Sequence, residues 1–331
     1  MSQLLGKEVG PIGYGMMGLS WRPQPQPLAD SIKALKIALE SGCNFWNGGI
    51  LYGTPEYNSL HIIKAYFKQY PEDASRVILS IKGGVEANLH PNGDPEFVKK
   101  NIDDALVVLD GTKKIDIFEC ARVDKRVPIE VTLKALEECV QAGKIGGISL
   151  SEVSAETVKR AVKVTKIVAC EVELSLWSLD IFENGVAAAC AEYDIPIVAY
   201  SPIGRGILSG EIKKPEDIPE GDFRRMLPRF QPGTFPKNLG LVHKIQDIAT
   251  SKGVTPAQLA ISWVVHQSKK NGNPVIIPIP GATTESRILE NVKSKDVILS
   301  ESDVAAIDEI LKGFTPTGGR YGGPGAVHMN G

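Results

Sequence analysis

The chain has 331 residues, 43% of them hydrophobic, and a formal net charge of -2 at pH 7. Its Lys and Arg residues are scattered and form no basic block, which argues against nucleic acid as a partner. No apolar stretch approaches the roughly 18 residues that span a bilayer, and no basic-then-apolar leader opens the chain. We therefore expect a soluble protein without a membrane partner, in the cytoplasm, with the nucleus as an alternative. Five cysteines without a C-x-x-C pair indicate neither a disulfide framework nor a metal site.

Short apolar runs alternate with longer helical patterns along the chain. Helical spacing is clearest at 28–42, 94–111 and 128–144. The strand-like runs number eight, at 9–15, 43–47, 76–84, 115–121, 145–151, 167–175, 195–202 and 274–281. Strands that alternate with helices predict parallel pairing, and eight such units predict a closed (β/α)8 barrel. An open doubly wound sheet is the alternative, but its glycine-rich candidate "GYGMMG" is followed by a proline-spaced loop where a dinucleotide-binding turn needs a helix.

Two segments interrupt the alternation. The stretch 203–238 follows the seventh strand and is too long for an ordinary connection, and loops of that length often cover a functional site. The tail 313–331 is rich in Gly and Pro, and we expect it to lie across the barrel mouth. We predict one (β/α)8 barrel domain over residues 1–331.

Polar residues follow six of the predicted strands at their C-terminal ends, where barrel enzymes carry their chemistry. These residues are Tyr52, Lys82, Ala121, Arg122, Ser151, Glu152, Glu171, Glu173, Tyr200 and Ser201. A tyrosine beside a lysine is a recognisable proton donor, because an ammonium group stabilises the phenolate and lowers the phenol pKa. Position alone also allows the plainer interpretation of a loop tyrosine and a solvated lysine.

Several long segments carry a family resemblance over the whole chain. They are "CNFWNGGILYG", "ILSIKGG", "FECARVDKRVPIE", "GKIGGISLSEVSAETVKRA", "EVELSLWSLD", "IVAYSPIGRGILSG", "EGDFRRMLPRF" and "IPIPGATTESRILENV". The chain resembles the aldo-keto reductases, and within them it is most similar to the fungal pyridoxal reductases. The resemblance implies NADPH bound across the barrel mouth, hydride transfer to a carbonyl carbon, and a tyrosine that delivers the proton to oxygen.

The resemblance also implies roles for individual residues. Tyr52 matches the general acid and Lys82 its ammonium partner. Ser151 and Glu171 match the positions that hold the nicotinamide amide, and Tyr200 matches the ring that stacks on the nicotinamide. Further cofactor-binding positions are Ser201, Ile203, Gly204 and Arg205 over the pyrophosphate, and Thr284, Arg287, Glu290 and Asn291 at the adenosine end, where Arg287 is suited to a 2′-phosphate.

The family pattern is broken at the centre of the site. Asn47 stands where relatives carry the aspartate that pairs with the lysine, and Gly48 and Gly49 replace Thr and Ala. Ala121 stands where relatives carry a histidine that orients the carbonyl oxygen. We therefore expect Lys82 to lack a carboxylate partner, and we expect the loss of one donor to the developing alkoxide to favour electrophilic aldehydes.

These features predict an NADPH-dependent reductase of pyridoxal, monomeric or weakly self-associating. A catalytically weak, NADP(H)-binding redox-sensing subunit of the same fold is the alternative. A sugar-cleaving barrel with Glu171 and Glu173 as its carboxylates is set aside, on the expectation that the two lie on opposite faces of one strand. The five histidines form no ligand-spaced cluster, so metal hydrolysis is not indicated.

Overall fold

The computed structural model describes residues 2–323, 326, 328–329 and 331. The strands are β1 (Ser2–Leu4), β2 (Lys7–Val9), β3 (Tyr14–Gly15), β4 (Phe45–Gly49), β5 (Ile78–Gly83), β6 (Ile117–Cys120), β7 (Ile148–Ser151), β8 (Ile167–Glu173), β9 (Ile197–Tyr200) and β10 (Ile276–Pro278). The helices are α1 (Met17–Ser20), α2 (Leu28–Glu40), α3 (Ser59–Gln69), α4 (Pro95–Leu109), α5 (Ile129–Gln141), α6 (Ala155–Ala161), α7 (Asp180–Glu183), α8 (Val186–Glu192), α9 (Phe235–Lys252), α10 (Pro256–Gln267), α11 (Glu285–Lys293) and α12 (Glu301–Lys312).

Strands β3 to β10 form one parallel sheet in chain order, each paired with the next. The backbone N–H of Gly13 donates to the Pro278 carbonyl at 2.9 Å, and that of Gly15 donates to the Pro280 carbonyl at 3.4 Å. These two bonds join the outer strands and bring the sheet round into a barrel. The predicted (β/α)8 fold is confirmed, and each of the eight strand-like runs contributes one strand.

Capping residues set the ends of the helices. Helix α4 shows this well, because Pro95 occupies its first position and the Asp94 carboxylate accepts from the backbone N–H groups of Glu96 and Phe97. The helix ends at Asp110, whose backbone is left-handed with φ 53°. The three helices predicted from apolar spacing correspond to α2, α4 and α5.

A β-hairpin that the sequence analysis missed precedes the barrel. Strands β1 and β2 pair antiparallel, and the side chains of Leu4 and Val9 are buried. They pack against Phe45, Ile117 and other residues at the N-terminal ends of the barrel strands. The hairpin thereby closes the end of the barrel opposite the catalytic mouth. The sequence analysis missed it because strands of three residues are too short to show an alternating hydrophobic pattern.

The long insertion is folded and tied to the C-terminal tail. It contains 3-10 turns at Gly204–Ser209, Pro215–Asp217, Phe223–Met226 and Pro228–Phe230. The Asn238 side-chain amide donates to the Thr317 carbonyl at 3.0 Å and accepts from the Thr317 N–H at 2.8 Å. The carbonyl of Gly331 accepts from the Ser154 N–H at 3.0 Å. The tail therefore crosses the barrel mouth as expected.

Among the described residues, none of the helices combines the length and the apolar character that crossing a membrane requires.

Candidate active site

Tyr52 and Lys82 meet inside the barrel mouth. Lys82 lies on β5, Tyr52 lies on the loop after β4, and the lysine Nζ donates to the tyrosine OH at 3.2 Å. Both side chains are buried. The Tyr52 carbonyl accepts from the Ser20 hydroxyl at 2.5 Å, and the Trp21 ring packs 5.6 Å from the Tyr52 ring. Burial raises the pKa of Tyr52 and the adjacent ammonium of Lys82 opposes that rise, which leaves the pKa above its ordinary value.

The glycine pair before Tyr52 makes room in two directions. A Cβ on Gly49 would lie 3.0 Å from Cδ2 of the Tyr52 ring. A Cβ on Gly48 would instead lie 3.1 Å from Cβ of Ser59, on the helix side of the strand. Gly49 thus lets the tyrosine ring settle directly against the strand, whereas Gly48 lets helix α3 approach.

Lys82 has two carboxylate partners, so the expectation that it lacks one is wrong. Its Nζ lies 3.1 Å from Oε1 of Glu119 on β6 and also donates to Oε1 of Glu171 on β8. Asn47 donates through Nδ2 to the other oxygen of Glu171 at 2.6 Å. The Ser149 hydroxyl donates to Oε2 of Glu119 at 2.8 Å. The carboxylate partners of Lys82 therefore come from the neighbouring strand β6 and from β8, and not from position 47.

The electrostatics follow from this burial. The pKa of Lys82 is lowered by desolvation, but the two nearby carboxylates outweigh that effect and hold it well above the usual lysine value. Burial, and then the like charge of Glu119, raises the pKa of Glu171 to about 8. The lysine is therefore firmly charged, while the carboxyl beside it titrates near neutral pH.

Sequence reasoning named Glu171 but gave it to the nicotinamide amide, and it did not consider Glu119. A signal was present, because Glu119 lies one strand over from Lys82 and pairs with it in register. Interior-facing polar residues on adjacent barrel strands are neighbours. Checking each strand for a buried charge, and not only its C-terminal end, would have found the pair.

Glu173 does not lie on the opposite face of β8 from Glu171, so that expectation is also wrong: residues two apart on a strand share a face. Glu173 accepts from Arg205 at 2.7 Å and lies 3.5 Å from Arg320. Burial raises the pKa of Glu173, but the arginines outweigh it and the pKa is lowered. Glu171 therefore pairs with Lys82, whereas Glu173 pairs with Arg205 and Arg320.

Arginines and tyrosines from loops cover the site. The Tyr321 ring of the tail lies 4.4 Å from the Arg205 guanidinium and 5.4 Å from that of Arg122. The Tyr321 and Tyr200 hydroxyls are 3.0 Å apart. Arg320 pairs with Glu152 at 3.0 Å. Sequence analysis assigned no role to Arg320 or Tyr321, because a Gly-rich tail carries no periodicity that places its side chains.

Ala121 and Arg122 end β6 beside the Tyr52–Lys82 pair. Ala121 is buried, its N–H donates to the Gly83 carbonyl at 2.8 Å, and its methyl group carries no hydrogen-bond donor. The Arg122 guanidinium donates to the Ala121 carbonyl at 2.5 Å. In the part of the chain that the structure describes, the Arg122 guanidinium forms no ion pair with a carboxylate and instead lies over the Tyr321 ring. This leaves a cation with spare donors at the edge of the site.

The predicted cofactor-binding residues lie along one side of the mouth. The Ser151 hydroxyl is buried at the end of β7 and has no hydrogen-bond partner among the described residues. Positive φ angles occur at Ser201, Gly204 and Arg205, at 53°, 58° and 59°. These angles form a tight turn that is closed by the bonds from the Gly204 N–H to the Ser201 carbonyl and from the Gly206 N–H to the Ile203 carbonyl. Ile203 packs partly buried against the core at the same turn.

The adenosine-end residues lie on α11 and its cap. Thr284 is the N-cap residue, and Asn291 is buried. The exposed Arg287 pairs with Glu211 of the insertion at 2.6 Å, which brings α11 next to the turn at Gly204–Ser209. The backbone carbonyl of Glu290 accepts from Gln258 at 3.3 Å. These residues share one side of the barrel mouth with the predicted pyrophosphate turn.

Comparison with known proteins places this site in a family. The aldo/keto reductase family model matches residues 11–312. A probable pyridoxal reductase 2 of Schizosaccharomyces pombe is 40% identical over 322 residues, covering 96% of each chain. A putative pyridoxal reductase of Saccharomyces cerevisiae is 38% identical, covering 93% of this chain and 95% of its own. An NADP(+) aldo-keto reductase, yakc, of Schizosaccharomyces pombe is 39% identical, covering 97% and 94%.

Solved structures agree on the fold. The glycerol dehydrogenase of Gluconobacter oxydans superposes with a TM-score of 0.82 at 21% identity, covering 95% of this chain and 96% of that one. A thermostable aldo-keto reductase solved with the inhibitor epalrestat gives 0.72 at 20% identity, covering 93% and 98%. The family match spans nearly the whole barrel, and the chain belongs to the aldo/keto reductase family.

Proposed function

We propose that this protein is an NADPH-dependent reductase that converts pyridoxal to pyridoxine. The observation that carries the proposal is the buried Tyr52–Lys82 pair, with its 3.2 Å hydrogen bond at the mouth of an aldo/keto reductase barrel. A phenol held against an ammonium group is a proton donor suited to a carbonyl oxygen. Relatives at 38% and 40% identity that are named as pyridoxal reductases support the choice of aldehyde.

The residues at the mouth fit a nicotinamide dinucleotide. The Ser151 hydroxyl is buried and has no partner in the described part of the chain; such a group normally has one, which a carboxamide would supply. The left-handed turn at Ser201, Gly204 and Arg205 suits a pyrophosphate, and Arg287 suits a 2′-phosphate. Tyr200 presents an aromatic ring between these points. An NADP(+)-linked relative at 39% identity supports the same nucleotide.

The mechanism assigns one task to each central side chain. A nicotinamide held at Ser151 and Tyr200 would supply the hydride for the carbonyl carbon. Tyr52 donates its phenolic proton to the carbonyl oxygen as negative charge develops there. Lys82 stabilises the phenolate that remains, and its charge is secured by Glu119 and Glu171. Trp21 packs against the Tyr52 ring, and the burial of Tyr52 and Lys82 away from water strengthens these electrostatic interactions.

The residues around Tyr52 favour an electron-poor aromatic aldehyde that carries an ionisable hydroxyl group. Ala121 provides no donor to the carbonyl oxygen, so an electron-poor aromatic aldehyde is reduced more readily than an aliphatic one. Arg122 offers spare N–H groups beside the site. Pyridoxal carries an acidic hydroxyl next to its aldehyde, and a guanidinium stabilises the ionised form of such a group.

Steady-state NADPH oxidation with pyridoxal tests the proposal. The wild-type protein should oxidise NADPH when pyridoxal is added. Tyr52→Phe should lose on the order of 10²- to 10⁴-fold in kcat/KM because it lacks the phenolic proton. Nucleotide binding by fluorescence titration should be unchanged. The exposed Tyr193→Phe is the matched control and should behave as wild type. Tight NADPH binding without turnover of any aldehyde would instead favour the redox-sensing subunit.

A further inference from the structure

The carboxylates around Lys82 outnumber the cations. Glu119 and Glu171 both contact the same Nζ, and all three side chains are buried. Their other described hydrogen-bond partners, Asn47 and Ser149, are neutral. If both carboxyl groups were ionised, the cluster would carry one uncompensated negative charge away from water. A buried unpaired charge costs several kcal/mol, and such groups usually neutralise by taking up a proton.

One oxygen atom in the cluster indicates where that proton lies. Oε1 of Glu119 is buried and receives no directed hydrogen bond from any described donor, although Nζ of Lys82 is at ion-pair distance. Oε1 of Glu119 and Oε1 of Glu171 both contact Nζ of Lys82, so the two buried carboxyl groups are brought close together around one ammonium group. Two carboxylates are both acceptors and cannot bond to each other. A hydrogen bond between them exists only if one of them is protonated.

We propose that Glu119 and Glu171 share one proton and that this carboxyl pair returns a proton through Lys82 to Tyr52 after each reduction. The proposal rests on the proposed reductase function and adds the step by which the general acid is restored. Glu119 and Glu171 act through Lys82, so they are positioning and proton-holding residues and do not contact the substrate.

The proton transfers balance as follows. The Tyr52 O–H bond breaks as the alcohol O–H bond forms, leaving a phenolate. Lys82 then gives one N–H proton to that phenolate, and the shared carboxyl proton moves to Nζ, which restores the ammonium. The pair is left as two carboxylates and takes one proton from water before the next cycle. No oxidant or reductant beyond the nicotinamide is involved.

The charged and titratable groups that face the pair are few. Lys82 reaches it from β5 and Tyr52 from the loop after β4, while β4 and β7 contribute the neutral Asn47 and Ser149. The thiols of Cys120 and Cys170 also lie near Glu119; burial raises the pKa of Cys120, and the contact with Cys190 raises that of Cys170, so both stay neutral. The negative groups further up the mouth, Glu152 and Glu173, are held by arginines. The shared proton is therefore governed by this cluster.

Glu171→Gln tests the proposal with little change of shape. Its amide oxygen can still accept from Lys82, and its NH2 can donate to the Asn47 side-chain oxygen once that amide flips, but it has no transferable proton. We expect the infrared carbonyl stretch of a protonated carboxyl group, present in wild type at pH 6.5, to disappear in this variant. Glu119→Gln should remove the same band, and Glu173→Gln, the matched control for a buried ionised glutamate, should keep it.

Kinetics supply the second measurement. Glu171→Gln should lower multiple-turnover kcat more than the single-turnover rate of NADPH oxidation. We expect wild-type kcat to decline at alkaline pH as the pair loses its proton, and we expect this decline to be absent in Glu171→Gln. Persistence of the carboxyl band in both Gln variants, or an equal loss in the two rates with an unchanged pH profile, would overturn the proposal. The band is measurable even if pyridoxal is not reduced, so failure of the reductase assignment is recognised separately.

Discussion

The floor of the site and its cover have opposite charge balances. On the floor, the strand residues Glu119 and Glu171 outnumber the single cation Lys82. In the cover, arginines from loops and the tail pair with glutamates, and Arg122 adds a further positive charge without a recorded ion pair among the described residues. The floor is therefore built to hold a proton, and the cover is built to receive anions.

The difference also separates two kinds of structural support. Floor residues project from adjacent strands of one sheet, so their spacing is fixed by backbone hydrogen bonds. Cover residues such as Tyr321 depend on side-chain contacts between loops. Changes to the floor should alter proton transfer and stability, whereas changes to the cover should alter which ligand binds.

Asn47→Asp should give the largest effect, because it places a third carboxylate 2.6 Å from Glu171 and removes the donor. We expect a loss of about 2–3 kcal/mol in unfolding free energy at pH 8, measured by denaturant titration. The loss should shrink at pH 5, where a protonated side chain can donate again. Asn88→Asp, an exposed substitution, is the control for added charge. Equal stability of Asn47→Asp and wild type at pH 8 would contradict the charge balance assigned to the floor.

Arg122→Gln should give an intermediate effect that depends on the substrate. We expect kcat/KM for pyridoxal to fall about tenfold, equivalent to about 1.4 kcal/mol, and that for benzaldehyde, which lacks the acidic oxygen, to change little. Arg122→Lys should recover part of the loss because it keeps the charge. Equal losses of kcat/KM for both aldehydes would show that Arg122 supports the fold of the cover and does not bind the hydroxyl group of the substrate.

Gly49→Ala should give the smallest effect. The new Cβ would press on the Tyr52 ring at 3.0 Å, so we expect a lower kcat and a stability loss of about 1 kcal/mol. Gly48→Ala is the matched control, since its Cβ meets Ser59 at 3.1 Å and should reduce stability without affecting kcat. Equal kcat changes in the two variants would argue against a contact specific to the tyrosine.

The sequence predicted the frame of the protein better than its interior. Eight apolar runs located eight strands, and the Tyr52–Lys82 contact followed from the ends of adjacent strands. The role of Glu119 could not be read from motif positions, because a carboxylate from a neighbouring strand replaced the missing aspartate. The tail contacts of Arg320 and Tyr321 depend on loop geometry, for which the sequence has no periodic pattern. The shared face of Glu171 and Glu173 could have been predicted, because residues two apart on a strand point to the same side, but the sequence interpretation placed them on opposite faces.

The pH dependence of stability tests most directly whether the floor holds a proton. A raised carboxyl pKa means that the folded state binds more protons than the unfolded state, so stability falls as pH rises from the ordinary value of 4.5 to about 8. Lys82 does not contribute there, because its raised pKa matters only above its ordinary value of 10.5. The unfolding free energy of wild type minus that of Glu171→Gln should therefore fall with rising pH, by up to about 1.4 kcal/mol per pH unit in this window. Parallel curves for the two proteins between pH 5 and pH 8 would contradict the account.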